Sequence, residues 1–307
     1  MNATHLSDLV MFSRLVVFSI IPFFLIVGLI GNMFVVYIYG RQSQKSNVET
    51  FILVLAVIDL IGCIFGMPLE MAELYLAIQS NYFCKIYKYI VYTCFTISSF
   101  ILLTVSIERF RKICCPLGKQ ITPNLLQILI VSITITSAIQ IVPVFIYNEG
   151  VPFTYENKMY MICDCDLSKS SVWSYALSAL ILHIILFLTM TVLYSFVWKT
   201  ITQHLRKKKS KEGARRQQGI NRTIIVLISI SVLYFVSFSP FLVFLVIYPY
   251  CKDSNLLQIF KLILYRSWIL NSSLNPIVYG FCNKNFRKSF VNIFTRGKIM
   301  FEMEEKF

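Results

Sequence analysis

Residues 15–40 read LVVFSIIPFFLIVGLIGNMFVVYIYG, an apolar run without a single charged side chain. A helix rising 1.5 Å per residue needs about 20 mostly apolar residues to cross a bilayer core roughly 30 Å thick, so this run is long enough. Six more runs of the same kind follow, at about 47–76, 83–112, 124–147, 172–204, 218–249 and 256–281. Hydrocarbon offers no partner to backbone N–H and C=O groups, so each run must satisfy them internally, as a helix. The expected fold is all-α: a bundle of seven transmembrane helices. Composition agrees, with 57% hydrophobic residues, 14% charged residues and a mean hydropathy of +0.68. Spans and short loops nearly exhaust the 307 residues, leaving no room for a separate soluble domain. The segment from Met1 to Arg14 is too short and polar for a secretory leader, and no small-residue cleavage site follows the first run. A retained signal-anchor is expected.

The formal charge of +14 could suggest nucleic acid, but its placement argues otherwise. Most of the 29 Lys and Arg fall in alternate gaps: Arg41 and Lys45; Arg109, Arg111, Lys112 and Lys119; the run from Lys199 to Arg222; and the segment after the last span. Alternate gaps lie on one side of the membrane, and positive loops mark the cytoplasmic side. The N-terminus is then outside and the C-terminus inside. No aqueous basic face with stacking aromatics is visible, which speaks against a nucleic-acid partner. Glu70, Glu73, Glu149, Glu156, Asp164, Asp166 and Asp253 map to the outer side, either as ordinary solvated charge or as an acidic mouth for a cationic ligand. Cys84, Cys163, Cys165 and Cys251 face the oxidising space, where four cysteines permit three pairings. Cys63 and Cys94 read as apolar fillers, and Cys114, Cys115 and Cys282 should stay reduced or carry palmitate. Asn2-Ala-Thr4 is an outer glycosylation sequon, while Asn221 and Asn271 should be silent because they lie inside or in the membrane.

Polar side chains within the spans are functional suspects, because hydrocarbon makes them costly unless they face protein or a water cavity. They are Asn32, Asp59, Ser98, Ser99, Asn271, Ser272, Ser273 and Asn275. Together they could surround one hydrated cavity in which an ionised Asp59 needs a proton or a small cation, or form a hydrogen-bond network without an ion. Pro68, Pro143, Pro240 and Pro276 interrupt four spans, each removing a backbone hydrogen bond and permitting a kink or hinge. Residues 148–171 alternate through Lys158-Met-Tyr-Met-Ile-Cys163 and predict a β-hairpin pinned by a disulfide.

These motifs resemble the rhodopsin-like G-protein-coupled receptors along the whole chain. Gly31-Asn32 lies in the first span, and Asp59 sits in a Leu-Ala-x-x-Asp pattern. Glu108-Arg109-Phe110 is similar to the Asp/Glu-Arg-Tyr triplet, and Ile113-Cys-Cys-Pro116-Leu117 follows it. Phe238-Ser-Pro240-Phe241 resembles the Trp-x-Pro-Phe hinge, and Asn275-Pro276-Ile-Val-Tyr279 the Asn-Pro-x-x-Tyr motif. Asn285-Phe286-Arg287 opens the amphipathic helix beyond. The resemblance divides the chain into an extracellular segment 1–14, a receptor domain 15–281, and a cytoplasmic amphipathic helix and tail 282–307. It implies that Glu108 holds Arg109 at rest and that Tyr194 and Tyr279 swing toward it on activation. Phe286 would anchor the surface helix, with Arg287 and Lys288 toward lipid head groups. Asp59, Ser98, Asn271, Ser272 and Asn275 match the family's sodium-site positions, so an allosteric sodium ion is implied and no other cofactor. Cys84 is expected to bridge to the second outer loop, at Cys163 in preference to Cys165. The chain also departs from the family: span four has no Trp, Leu186 stands where Pro is usual, and Phe238 and Phe110 replace Trp and Tyr. No acid lies near Ile220 to tie down Arg109, and Arg215 and Arg216 approach instead, so noticeable basal signalling is expected.

Ile269 stands where an opsin needs its retinal Lys, and Val91 where an amine receptor needs Asp. The remaining mouth residues, with Val91, are Glu70, Glu73, Lys88, Tyr92, Phe241, Tyr248, Tyr265 and Arg266. They resemble the peptide-receptor branch of the ghrelin, motilin, neuromedin U and cholecystokinin kind, weakly of its calcium-mobilising class. The acidic pair Glu70 and Glu73 suits a basic or amidated peptide, or else Glu70 merely pairs with Arg266 or a loop Lys. The expected partners are an extracellular neuropeptide, a heterotrimeric G protein and the lipid bilayer, at the plasma membrane. A chemosensory or small-molecule receptor of the same fold is the alternative. A transporter would show inverted repeats, and none is found. An enzyme would need a nucleophile–base pair, and the only His buried in a span, His183, stands alone.

Overall fold

The computed structural model describes residues 3–75, 80–155, 158–166, 168–207, 211–251, 260, 262–282, 286–287 and 289–291. Side chains are described there except at 3–10, 153–155, 204–207, 211–223, 251 and 281–282. Asn2, Glu156, Asp253, Asn285, Lys288 and the tail after residue 291 lie outside the described residues. So do the side chains of Arg215, Arg216, Ile220, Cys251 and Cys282.

Among the described residues six helices are long and apolar enough to cross a membrane: Met11–Gly40, Asn47–Leu74, Asn81–Cys114, Pro123–Tyr147, Ser170–Gln203 and Ile224–Tyr250. A seventh, Trp268–Cys282, completes the bundle. The first helix starts at Ala3, earlier than the span boundary expected at residue 15. The cause is Arg14, a cation that the fold buries rather than leaves in water.

The packing is inverted relative to a soluble protein. Phe23 is 64% exposed and Ile128 61%, whereas Asn32 is 0% and Asp59 1% exposed. Apolar side chains line the outside because lipid surrounds them, and polar ones turn inward because only other helices can partner them.

Local chemistry sets the helix ends and breaks. Ser46 caps the second span in a capping box: its hydroxyl accepts from the Glu49 N–H, and Glu49 reaches back to the Ser46 N–H at 2.8 Å. Thr122 caps the fourth span, with Pro123 at its first turn where no N–H is needed. The second span is not uniform: Asn47–Ile61 passes through a π-turn at Gly62–Gly66 into Met67–Leu74. Pro68 cannot donate to the turn before it, and the wider turn absorbs that loss. Pro143 breaks the fourth span at Ile141, between Pro123–Gln140 and Val142–Tyr147.

The seventh span is expected over 256–281, with an interruption at Pro276 alone. Its described part instead contains a tight turn at Tyr265–Ser267, where Arg266, Ser267, Ile269 and Leu270 donate to carbonyls three residues back. This turn aims Arg266 into the bundle. The expected hairpin is present: β1, Asn148–Tyr155, pairs antiparallel with β2, Lys158–Cys165, with Gly150 opposite Cys163. The Cys84–Cys163 disulfide ties β2 to the start of the third span, and the Gly150 N–H donates to Asn81 Oδ1 at 2.9 Å. Beyond the seventh span, helical residues 286–287 and 289–291 carry buried Phe286, whose ring lies 6.3 Å from both Tyr39 and Tyr279.

Candidate functional site

Two spans meet closely at the bundle centre because a glycine lets them. A Cβ at Gly66 would fall 2.7 Å from the Trp268 ring, so only Gly allows the seventh span this near the second. Beneath Trp268 the polar residues converge. Asn275 Nδ2 donates to Asp59 at 2.8 Å, and Asn32 Nδ2 donates to the carbonyls of Gly28 and Ser272, each at 2.9 Å. A cavity of about 10 Å³ is lined by Asp59, Ser98, Trp268, Asn271 and Ser272 among others. That is room for about one water molecule. Asn271 Oδ1 and Asn275 Oδ1 are buried with no hydrogen-bond partner among the described residues. The donor set is a carboxylate, amide oxygens and hydroxyls, which suits a hard monovalent cation. Among the described residues no three His, Cys, Asp or Glu gather as a multidentate metal site would require. The residues brought together here fit a sodium ion.

Above this seam lies a cavity of about 100 Å³, between spans three to seven and the hairpin. Its walls are aromatic: Tyr92, Phe95, Phe238, Phe241 and Tyr265, with His183. Phe95 and Phe238 stack with ring centroids 3.6 Å apart, and Phe241 stacks on Tyr92 at 5.6 Å. His183 Nε2 lies 3.2 Å from Ser239 Oγ, and its Nδ1 lies 3.3 Å from the Tyr234 hydroxyl. Those contacts join spans five and six beside Pro240, which the helix Lys211–Cys251 accommodates without the expected interruption, as Trp268–Cys282 does Pro276. His183 is thus a pocket residue, one of the two parts, pocket or packing, expected of it.

The structure separates the expected ligand residues. Tyr92, Phe241 and Tyr265 line the cavity. Tyr248 packs on Phe244 at 5.3 Å instead, and Val91 meets the Gly66–Trp268 contact. Glu70, Glu73, Lys88 and Arg266 form a buried ion cluster with Arg14, outside the cavity wall. Arg266 Nε lies 2.9 Å from Glu70, and Arg266 Nη2 bonds Glu73. Arg14 lies 3.4 Å from Glu73 and donates to the Glu73 and Leu74 carbonyls. Lys88 stands 3.9 Å from Glu70 and 3.1 Å from the Tyr87 hydroxyl. The acidic-mouth expectation is therefore corrected for Glu70 and Glu73, and the alternative pairing of Glu70 with Arg266 is the one present. Both carboxylates are consumed by internal cations, because buried charge must be paired where water is absent. Arg14 was missed. In the sequence it stands directly before the uncharged run that opens at Leu15, where a cation also fits the water boundary.

At the opposite end, Glu108 holds Arg109 Nε at 2.5 Å, with Lys112 4.0 Å from the same carboxylate. Arg109 Nη2 and the Tyr279 hydroxyl are buried without a partner among the described residues. Tyr194 is buried on span five, and Pro276 lies inside span seven just before Tyr279. Phe110 lies 6.1 Å from Phe196 rather than reaching the polar seam.

Comparison with known proteins adds a family. The family described as 7 transmembrane receptor (rhodopsin family) matches residues 31–279. Melatonin receptor type 1B-B of Danio rerio is 25% identical over 289 residues, covering 90% of this chain and 81% of that receptor. Galanin receptor 2b of Danio rerio is 28% identical, covering 91% and 74%. Neuropeptide Y receptor type 6 of Mus musculus is 25% identical, covering 86% and 76%. With seven helices packed around a polar seam and this match across most of its length, the chain belongs to the rhodopsin family of seven-transmembrane receptors, a multi-pass membrane receptor and not an enzyme.

Proposed function

We propose that this receptor sits in the plasma membrane with its N-terminus outside, binds an extracellular neuropeptide, and catalyses nucleotide exchange on a heterotrimeric G protein. The positive loops at Arg41, Arg109 and the run from Lys199 to Arg222 support that orientation. The observation that carries the reading is the aromatic path from cavity to hinge. Anything entering beside Tyr92 and Phe241 presses on Phe238, and Phe238 precedes Pro240, whose missing N–H weakens the helix there, by two residues. A ligand that favours one setting of that hinge by roughly 5 kcal/mol moves the bundle from mostly inactive to mostly active.

The cavity also argues for the ligand's form. An apolar cavity of about 150 Å³ accepts benzene, so about 100 Å³ takes one apolar side chain. A peptide that inserts such an anchor and rests its remainder on the hairpin suits this space better than a whole small molecule. A basic side chain would have to compete with Arg14 and Arg266 for Glu73, so the anchor we propose is apolar. Glu108, Arg109, Tyr194, Asn275, Pro276 and Tyr279 form the coupling switch in this reading. Sodium held by Asp59, Ser98, Asn271, Ser272 and Asn275 would neutralise the buried carboxylate and brace the resting seam.

The test is expression in cultured cells with calcium and cAMP readouts against a neuropeptide panel. A response that disappears when the peptide's buried apolar residue is changed to Ser is expected. Silence to every peptide, with a robust response to a lipid or odorant, overturns the ligand class. Arg109→Ala should abolish signalling and leave ligand binding intact; if signalling persists, Arg109 is not the coupling residue.

A further inference from the structure

The charges of the buried ion cluster do not cancel. Arg14, Lys88 and Arg266 face Glu70 and Glu73, three cations against two carboxylates, and all five side chains are buried. Short contacts take up the arginines. Arg266 holds both carboxylates, with its Nε 2.9 Å from Glu70, and Arg14 holds Glu73. Lys88 is held least. Its Nζ stands 3.9 Å from Glu70, beyond hydrogen-bond reach, and among the described residues its hydrogen bond goes to the Tyr87 hydroxyl at 3.1 Å. An ammonium has three N–H donors. Aromatic faces supply the rest of its surroundings, with the Tyr87 ring at 4.5 Å and the Tyr265 ring at 5.9 Å. The surplus positive charge of the cluster therefore rests on Lys88, where a charge without a full partner is costly.

Lys88 is also the member of the cluster placed to meet a ligand. It lies one turn before Tyr92 on the same face of the third span, and Tyr92 and Tyr265 both line the cavity. No Lys, Arg, Asp or Glu is among the lining residues themselves. An apolar side chain lodged in the cavity thus has a cation beside its wall. We propose that Lys88 is an anion anchor for the ligand, pairing with a free carboxylate on the same residue whose apolar side chain fills the cavity. In a peptide, an apolar side chain and a carboxylate share one carbon only at the C-terminal residue. The ligand class is therefore a peptide ending in an apolar residue with a free acid, not the basic or amidated peptide that unpaired Glu70 and Glu73 would have suited. Pairing needs only that the flexible Lys88 stem turn from Glu70 toward the Tyr265 ring, over which it already lies. It leaves two arginines against two carboxylates, a neutral cluster. The inference deepens the peptide reading above and rests on an apolar side chain occupying the cavity.

The test uses full-length receptor in nanodiscs, with N-acetyl-leucine and N-acetyl-leucinamide as probes of the peptide's last residue. Binding is read by ligand-observed NMR and by thermal melting, in gluconate buffer. The acid should bind about tenfold more tightly than the amide, the factor expected of a hydrogen bond to a charged group. Lys88→Gln should abolish that preference and Lys88→Arg should keep most of it. Melting of the unliganded Lys88→Gln receptor should hold, because the four charges that remain are balanced. Equal binding of acid and amide overturns the anchor and leaves the apolar-cavity reading standing. Failure of both probes to bind overturns that reading, and the anchor with it. If Lys88→Gln melts as low as Glu73→Gln, Lys88 is a structural member of the cluster and the proposal falls. Stabilisation by chloride over gluconate that Lys88→Gln abolishes assigns the surplus charge to an inorganic anion instead of the ligand.

Discussion

Glu73 answers two arginines from two different helices, Arg14 of the first span and Arg266 of the seventh, and all three side chains are buried. Removing one partner from a buried ion cluster leaves charge without water or counterion, which costs about 3–5 kcal/mol. Glu73→Gln should therefore lower receptor stability by about that amount, read as a fall in melting temperature of the purified protein. Lys88→Met should cost much less, because Lys88 stands 3.9 Å from Glu70 whereas Arg266 lies at 2.9 Å from it. Equal losses for both variants would mean that the cluster shares its charge evenly and that the short contacts do not dominate. Part of this was legible in the sequence. A pairing of Glu70 with Arg266 stood beside the acidic-mouth reading, since both residues map to the same end of the bundle. The part of Arg14 was hidden, because a cation at the head of a span looks the same in sequence whether it snorkels to water or turns inward. Which it does depends on a carboxylate 59 residues further along the chain.

The hairpin is the element on which the outer end depends. The disulfide from Cys84 fixes β2 at Cys163 and closes a separation of 79 residues, while Cys165, two residues on, lies 3.9 Å from the Tyr265 hydroxyl instead. Cys84→Ser and Cys163→Ser should each cost about 2–5 kcal/mol and leave little folded receptor at the surface. Cys165→Ser should be tolerated, with surface expression and melting temperature as the measurements. Loss with Cys165→Ser equal to that with Cys163→Ser would show that the pairing is exchangeable. The strand alternation around Cys163 and the six long apolar runs were readable because hydrocarbon thickness and the period of two leave few alternatives. The π-turn at Gly62–Gly66 and the tight turn at Tyr265–Ser267 were not. Pro68 marked the first region, but whether a proline bends a helix or is absorbed by a wider turn is decided by what packs opposite. Here that is Trp268 against Gly66. The second region carries no proline or glycine at all, and its turn serves the ion cluster rather than any local preference.

For the molecule as a whole, the question is what makes the bundle a switch rather than a rigid block. The inverted packing removes most of the hydrophobic driving force between helices, because lipid is as apolar as the side chains it touches. Polar contacts inside the bundle then decide between arrangements, and some of them are unsatisfied in this one. The Tyr279 hydroxyl is fully buried and lacks a partner among the described residues, as does Arg109 Nη2. A buried polar group without a hydrogen bond costs about 1–3 kcal/mol, so the present arrangement holds energy that another could release. Tyr279→Phe removes the unsatisfied hydroxyl and little else. Its effects should therefore have opposite signs: melting of the unliganded receptor rises by an amount equivalent to about 1 kcal/mol, while maximal G-protein activation falls because the arrangement that would satisfy the hydroxyl has lost its advantage. Thermal melting and nucleotide exchange on the same preparation give both signs. If melting and exchange fall together, the hydroxyl is already bonded at rest, through water, and the difference between the two arrangements must come from Arg109 and its release from Glu108.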